Sequence, residues 1–405
     1  MPAEGPRHRL FYLVVRKAVW IFLFAGLLWA DTQAELADRA EQLIRSGDKD
    51  GAVAALAQAG EATPAAAESE DRIGFLYAVL QQTDDAVLYF QKSIKLNGDY
   101  APAHYHLGVA LWNADQHDGG LAELKTAAKL DPKNFDYQFR LGSALQRTGD
   151  LAGAVDALGK ALELSPANDD LRNNYAFLLI DTRQADRGIG ESQKVLAHDP
   201  KNTSALMNIG YADLKKGDFD LAEKAYRDVL AIDATSAAAH YDLGIALKSK
   251  DQLEAAQTEF KEAIRLDPAL PQAHYSLGIA DWQLGDFAGL ADEMRAAIKV
   301  SPDYAEAHYM LGIALKQSGD LDGALAELKE SIRLDANTPG PYNTIGQILR
   351  MKGDKQGSEE AFATGARIKR ENESQLANTL EQGMRGGSMM KPISGEAQPE
   401  KAQKP

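Results

Sequence analysis

The primary structure predicts an all-α chain of tandem helix-turn-helix units, an α-solenoid, and three observations carry that expectation. First, Leu243-Gly244 returns as Leu277-Gly278 after a step of 34 residues, and the same step reaches Leu311-Gly312, Ile345-Gly346, Ile209-Gly210, Leu141-Gly142, Leu107-Gly108 and Ile73-Gly74. Second, the place facing that glycine on each second helix is usually small, at Ala52, Ala86, Gly120, Ala154, Gly188, Ala222, Ala256 and Ala324, so the two helices of a unit can cross closely. One turn on, Phe90, Leu124, Leu158, Tyr226, Phe260, Met294, Leu328 and Phe362 fill the space beside the crossing. Third, turn chemistry keeps the same phase. Pro64, Pro132, Pro166, Pro200, Pro268 and Pro302 stop the second helices, because proline has no amide hydrogen and restricts the residue before it. Gly47-Asp48, Gly149-Asp150, Gly217-Asp218, Gly285-Asp286, Gly319-Asp320 and Gly353-Asp354 mark the turn inside units, glycine ending one helix and aspartate opening the next.

In chain order, residues 1–34 come first. Arg7, Arg9, Arg16 and Lys17 precede the apolar run AVWIFLFAGLLWA from Ala18 to Ala30, and small residues follow. This is the layout of a secretory signal peptide cut after Ala34 or Ala30, with an N-terminal membrane anchor over residues 10–29 as the alternative. Ten repeats over residues 35–372 follow in one phase: 33–66, 67–100, 101–134, 135–168, 169–202, 203–236, 237–270, 271–304, 305–338 and 339–372. The first carries Arg39-Ala40 where the apolar-glycine pair belongs, as suits an end cap. The fifth has Tyr175-Ala176 and Ser192, which predicts looser packing, and Leu290 puts bulk at a crossing that elsewhere is small. Residues 373–384 are expected to extend the last helix or cap it. Residues 385–405, rich in Gly, Ser, Pro, Lys and Glu, are expected to be a disordered tail.

A fixed 34-residue step with these phased positions resembles the tetratricopeptide repeat. The resemblance implies a right-handed superhelical α-solenoid whose first helices line a concave groove, with unit positions five and nine facing a protein or peptide. Those positions read Tyr105 with Val109, Phe139 with Ser143, Asn173 with Phe177, Met207 with Tyr211, Tyr241 with Ile245, Tyr275 with Ile279 and Tyr309 with Ile313. Lys248, Lys316 and Arg350 at position twelve, with Lys215 one place later and Trp112 and Trp282 interspersed, add basic groups near this apolar stripe. An extended segment with apolar and some acidic side chains suits such a surface. Tyrosine at position five is also an ordinary packing residue of the family, so the stripe reads either as a binding face or as inter-unit packing.

The remaining chemistry is narrowed by what the chain lacks. A formal charge of -15 disfavours nucleic acid as partner, and the absence of cysteine excludes disulfides, thiolate zinc sites and thiol nucleophiles. His104, His240, His274 and His308 recur at unit position four, but successive units stand ~10 Å apart, too far for one metal sphere with bonds of ~2 Å. Packing histidines are expected, with no metal, cofactor, catalytic residue or small-molecule substrate. A non-enzymatic interaction scaffold of the cell envelope, periplasmic or extracellular, is therefore the expected function. A repeat array serving a glycosyltransferase of the O-linked N-acetylglucosamine type and a structural homo-oligomer are the alternatives.

Overall fold

The computed structural model describes residues 33–62 and 65–386, all helix and turn with no strand among them. The leader through residue 32, Pro64 and the tail from residue 387 lie outside the described residues. Helices alternate as first and second members of each unit: α1 (33–46), α2 (Lys49–Glu61), α3 (Ala67–Val79), α4 (Thr83–Leu96), α5 (Ala101–Asn113), α6 (His117–Leu130), α7 (Phe135–Arg147), α8 (Leu151–Leu164), α9 (Asp169–Asp181) and α10 (Ala185–His198). They continue as α11 (Thr203–Lys216), α12 (Phe219–Ile232), α13 (Ala237–Ser249), α14 (Leu253–Leu266), α15 (Pro271–Gln283), α16 (Phe287–Val300), α17 (Ala305–Ser318), α18 (Leu321–Leu334), α19 (Pro339–Met351) and α20 (Lys355–Gly386). Residues 373–384 are part of α20, which runs through them without a break. The chain divides into two compact units, the first through Asn208 and the second from Ile209. Each is a stack of helix pairs.

The crossing inside each pair explains the glycine. A Cβ on Gly244 would stand 2.5 Å from the Phe260 ring, and one on Gly142 2.6 Å from Leu158, so only hydrogen fits where the second helix presses closest. The fifth repeat solves the same problem in reverse. Its first helix carries Ala176, and the glycine sits opposite: a Cβ on Gly188 would meet Ile180 at 2.5 Å and the Ala176 carbonyl at 2.8 Å. Ala176 and Ser192 are both fully buried, so this crossing is closed rather than loose. Leu290 is accommodated because its neighbour is the unbranched Met294, whose Cε, in place of a ring, lies beside Gly278.

The turn inside each unit is more uniform than its sequence. Gly47, Gly149, Gly217, Gly285, Gly319 and Gly353 have positive φ, and so do Gln81, Asp115, Arg183 and Asp251 at the same place in the units that lack glycine. Packing of the two helices imposes the left-handed turn, at a cost of ~1 kcal/mol where a Cβ is present. The aspartate that follows opens the second helix. Asp48, Asp150, Asp286, Asp320 and Asp354 accept the amides of Gly51, Gly153, Gly289, Gly323 and Gly357 at 2.9 Å, and those glycines leave room for the carboxylate.

Between units, helix termination does not depend on proline. Asp233 and Asp335, which no proline follows, take the same extended conformation as Asp131 and Asp267, which precede Pro132 and Pro268. In all four the side chain accepts the amide two residues on, at 2.9–3.2 Å.

Candidate partner-binding face

At about 100° per residue, unit positions five, nine and twelve of a first helix fall within one sector of its surface. In the first unit Tyr105 and Val109 are half-buried, and the Tyr105 ring lies 4.8 Å from that of Tyr137 in the next repeat. Burial raises the pKa of the Tyr105 hydroxyl. Phe139 is 37% exposed and stacks on Phe135 at 5.7 Å, Phe177 is 44% exposed, and Met207 is half-buried. Sequence reading omitted two members of this face: Phe75 and Val79 on α3, each 49% exposed. Phe75 stands one 34-residue step before Val109, so the phase contained the signal. It was masked by Asp71 at position five of that unit, which is buried and accepts a hydrogen bond from His106 at 2.8 Å.

The second unit treats its aromatic residues differently. The Tyr241 hydroxyl lies beside buried Ser276 of the next repeat, and its ring lies 5.9 Å from that of Phe260. The Tyr275 ring packs at 5.2 Å on Tyr304, whose pKa burial pushes up to about 12. The Tyr309 hydroxyl lies so close to Gly340 of the next repeat that a Cβ there would stand 2.8 Å away. Tyr241 and Tyr309 thus reach the next repeat and Tyr275 packs on the residue that leads into it, while each stays only half-buried. Ile245, Ile279 and Ile313 are half-buried beside them, as is Tyr211, over whose ring the Lys215 ammonium stands at 5.1 Å.

Charge gathers further along the same helices. Lys248 is half-buried, and burial lowers its pKa. Trp282 is 42% exposed, Lys316 donates to the Gln347 side chain at 2.7 Å, and Arg350 is exposed. Asp242 sits half-buried on α13, where desolvation raises its pKa to about 6.

The recurrent histidines are clamps. Nδ1 of His104, His240, His274 and His308 meets Glu123, Glu259, Glu293 and Glu327 on the second helix of the same repeat at 2.5–2.7 Å. Nε2 of His104 and His308 reaches back to the carbonyls of Gly98 and Pro302 in the preceding turn, at 3.0 and 3.1 Å. Arg172 occupies the same place in the fifth repeat and bonds Glu191 and the Pro166 carbonyl. Among the described residues no group of three or more His, Asp or Glu is arranged to hold a metal ion, and no helix is long and apolar enough to cross a membrane.

Comparison with known proteins agrees with this architecture. Family models described as tetratricopeptide repeats match residues 74–134, 105–169, 178–239 and 275–339, with further matches at 145–208 and 246–285. Among curated proteins none matches. Similar solved structures include MamA, 26% identical over 41% of this chain and 97% of that chain, with a TM-score of 0.39. YrrB, described as a TPR protein with an unusual peptide-binding site, is 19% identical over 46% of this chain and 97% of its own, with a TM-score of 0.40. Yeast Tom70 is 14% identical over 90% of this chain and 98% of its own, with a TM-score of 0.48. The family models together cover more than half of the sequence, and the chain belongs to the tetratricopeptide repeat family.

Proposed function

We propose that this protein is a non-enzymatic scaffold that holds an extended segment of another protein against its first-helix faces, and that it works in the cell envelope after export by residues 1–34. The observation that carries the binding reading is the row of aromatic side chains left in solvent on the first unit: Phe75, Phe139 and Phe177. With less than half of each ring still exposed, a partner surface that covered it would recover on the order of 1 kcal/mol per phenylalanine. The basic, then apolar, then small-residue order of the leader supports the envelope reading.

Two measurements test the proposal. The chain from residue 35, immobilised and exposed to envelope extract, is expected to retain a defined partner that the combined variant Phe75→Ser, Phe139→Ser, Phe177→Ser does not retain. Equal retention by the variant would remove this face from the function. N-terminal sequencing of the protein recovered from an envelope fraction is expected to begin at Asp31 or Glu35, whereas recovery in the cytoplasm would end the export reading.

A further inference from the structure

Lys248, Lys316 and Arg350 share one register position on α13, α17 and α19, and Trp282 holds that position on α15 between them. Among the described residues no carboxylate pairs with any of the three cations, and Lys316 reaches only the neutral Gln347. Several other cations of the same unit are paired, though Lys261, Lys299 and Lys329 on its second helices are not, so what distinguishes the three is their shared register on the first-helix face. Arg265 and Arg333, in the last turns of α14 and α18, are paired with Glu262 and Glu330 at 2.6 Å, and Lys250 lies 2.7 Å from Glu223. Cations near a helix C-terminus offset its dipole, but that accounts equally for the paired arginines. It does not explain why these three lack a carboxylate on a chain of charge -15.

Their surroundings favour a ligand charge. Position nine of the same helices is Ile245, Ile279, Ile313 and Gln347, all uncharged, so the row faces an apolar and neutral strip. Burial already disfavours the Lys248 ammonium, and an incoming carboxylate would relieve that. The acids on these first helices are Asp242, half-buried one turn or more before the row, Asp281, which accepts a hydrogen bond from Gln257 at 2.6 Å, and Glu306 in the first turn of α17. None reaches the row as an ion-pair partner.

Resting on the reading above, we infer that the first-helix face of the second unit takes an extended acidic segment of a partner protein, its carboxylates meeting Lys248, Lys316 and Arg350 and an apolar side chain meeting Trp282. Successive repeats stand ~10 Å apart and an extended chain advances ~3.3 Å per residue, so the matching segment places an acid, an apolar residue, an acid and an acid at steps of about three residues.

The test uses the full chain and two synthetic peptides, ESSFSSESSE and its neutral counterpart QSSFSSQSSQ, in fluorescence anisotropy against wild type and the variant Lys248→Gln, Lys316→Gln, Arg350→Gln. Wild type is expected to bind the acidic peptide roughly ten-fold or more tightly than the neutral one, a preference that added salt weakens and the variant abolishes. Circular dichroism is expected to be the same for both proteins. Equal binding of the two peptides by wild type would overturn the charge inference and leave the scaffold reading standing. A preference that survives in the variant would also overturn it. Failure of both peptides to bind would remove the second unit's face as a docking surface. The phenylalanine face of the first unit answers separately to the retention experiment above.

Discussion

Both units carry aromatic residues on their first helices, at position five in Phe139 and position nine in Phe75 and Phe177 of the first, and at position five in Tyr241, Tyr275 and Tyr309 of the second, and use them for different ends. In the first unit Phe75, Phe139 and Phe177 have no polar atom to satisfy and stand more than a third exposed. In the second unit Tyr241 and Tyr309 carry a hydroxyl that meets the next repeat at Ser276 and Gly340, and Tyr275 packs on Tyr304. Tyr105 in the first unit follows the tyrosine habit, packing on Tyr137, which shows that residue type more than location makes the difference. A position that repeats faithfully along a solenoid is therefore not a functional site by virtue of repeating. Its exposure follows from how much of the ring the neighbouring residues cover, which is more than half for Phe139 and about half for Phe75, whose ring lies 5.6 Å from that of His106 in the next repeat.

The largest expected effect comes from breaking the tyrosine packing. Replacing Tyr241, Tyr275 and Tyr309 together with alanine is expected to cost about 2 kcal/mol at each site, enough to shift urea unfolding of the second unit well below that of wild type. An unchanged midpoint would mean that these rings are surface groups and that the contrast between units is false. Next in size is Asp242→Asn. Burial raises the Asp242 pKa to about 6, above the ordinary aspartate value, so the folded state holds that proton more tightly than the unfolded chain does. Its contribution to stability is therefore fully present below about pH 4 and lost as pH rises through about 6. The asparagine variant is expected to be more stable at pH 7 by on the order of 2 kcal/mol, with that slope removed. A variant with the wild-type pH dependence would show that the carboxylate is solvated. The smallest effect sharpens the comparison from the other side. Phe139→Ser and Phe177→Ser are expected to lower the unfolding free energy by about 1 kcal/mol each, less than any one tyrosine replacement, while reducing partner retention. A larger loss of stability would place these phenylalanines with the tyrosines.

Much of this fold was legible beforehand because its governing contacts recur every 34 residues. Gly244 against Phe260 and Gly142 against Leu158 are short-range pairs inside one repeat, so spacing alone exposed them. The fifth repeat was harder to read. Moving the glycine from the first helix to Gly188 on the second preserves the crossing while breaking the pattern that announces it. Gln81 and Arg183 were invisible as left-handed turn residues, since nothing in their side chains favours that backbone, and Asp115 and Asp251 carried only the modest tolerance aspartate has for it. The histidine clamps were correctly assigned to packing by the distance between repeats, although the acceptor on the second helix was not foreseen.

Within the candidate face, residue positions were readable and their exposure was not. Period, helix pairing and the places where only glycine fits arise inside a single repeat, where neighbours in sequence are neighbours in space, and so they could be argued from order alone. Whether an aromatic ring is spent on the adjoining repeat, or a lysine lacks a carboxylate, depends on side chains about one repeat away meeting at angstrom distances. Spacing along a chain does not carry that information, and the packed helices supplied it.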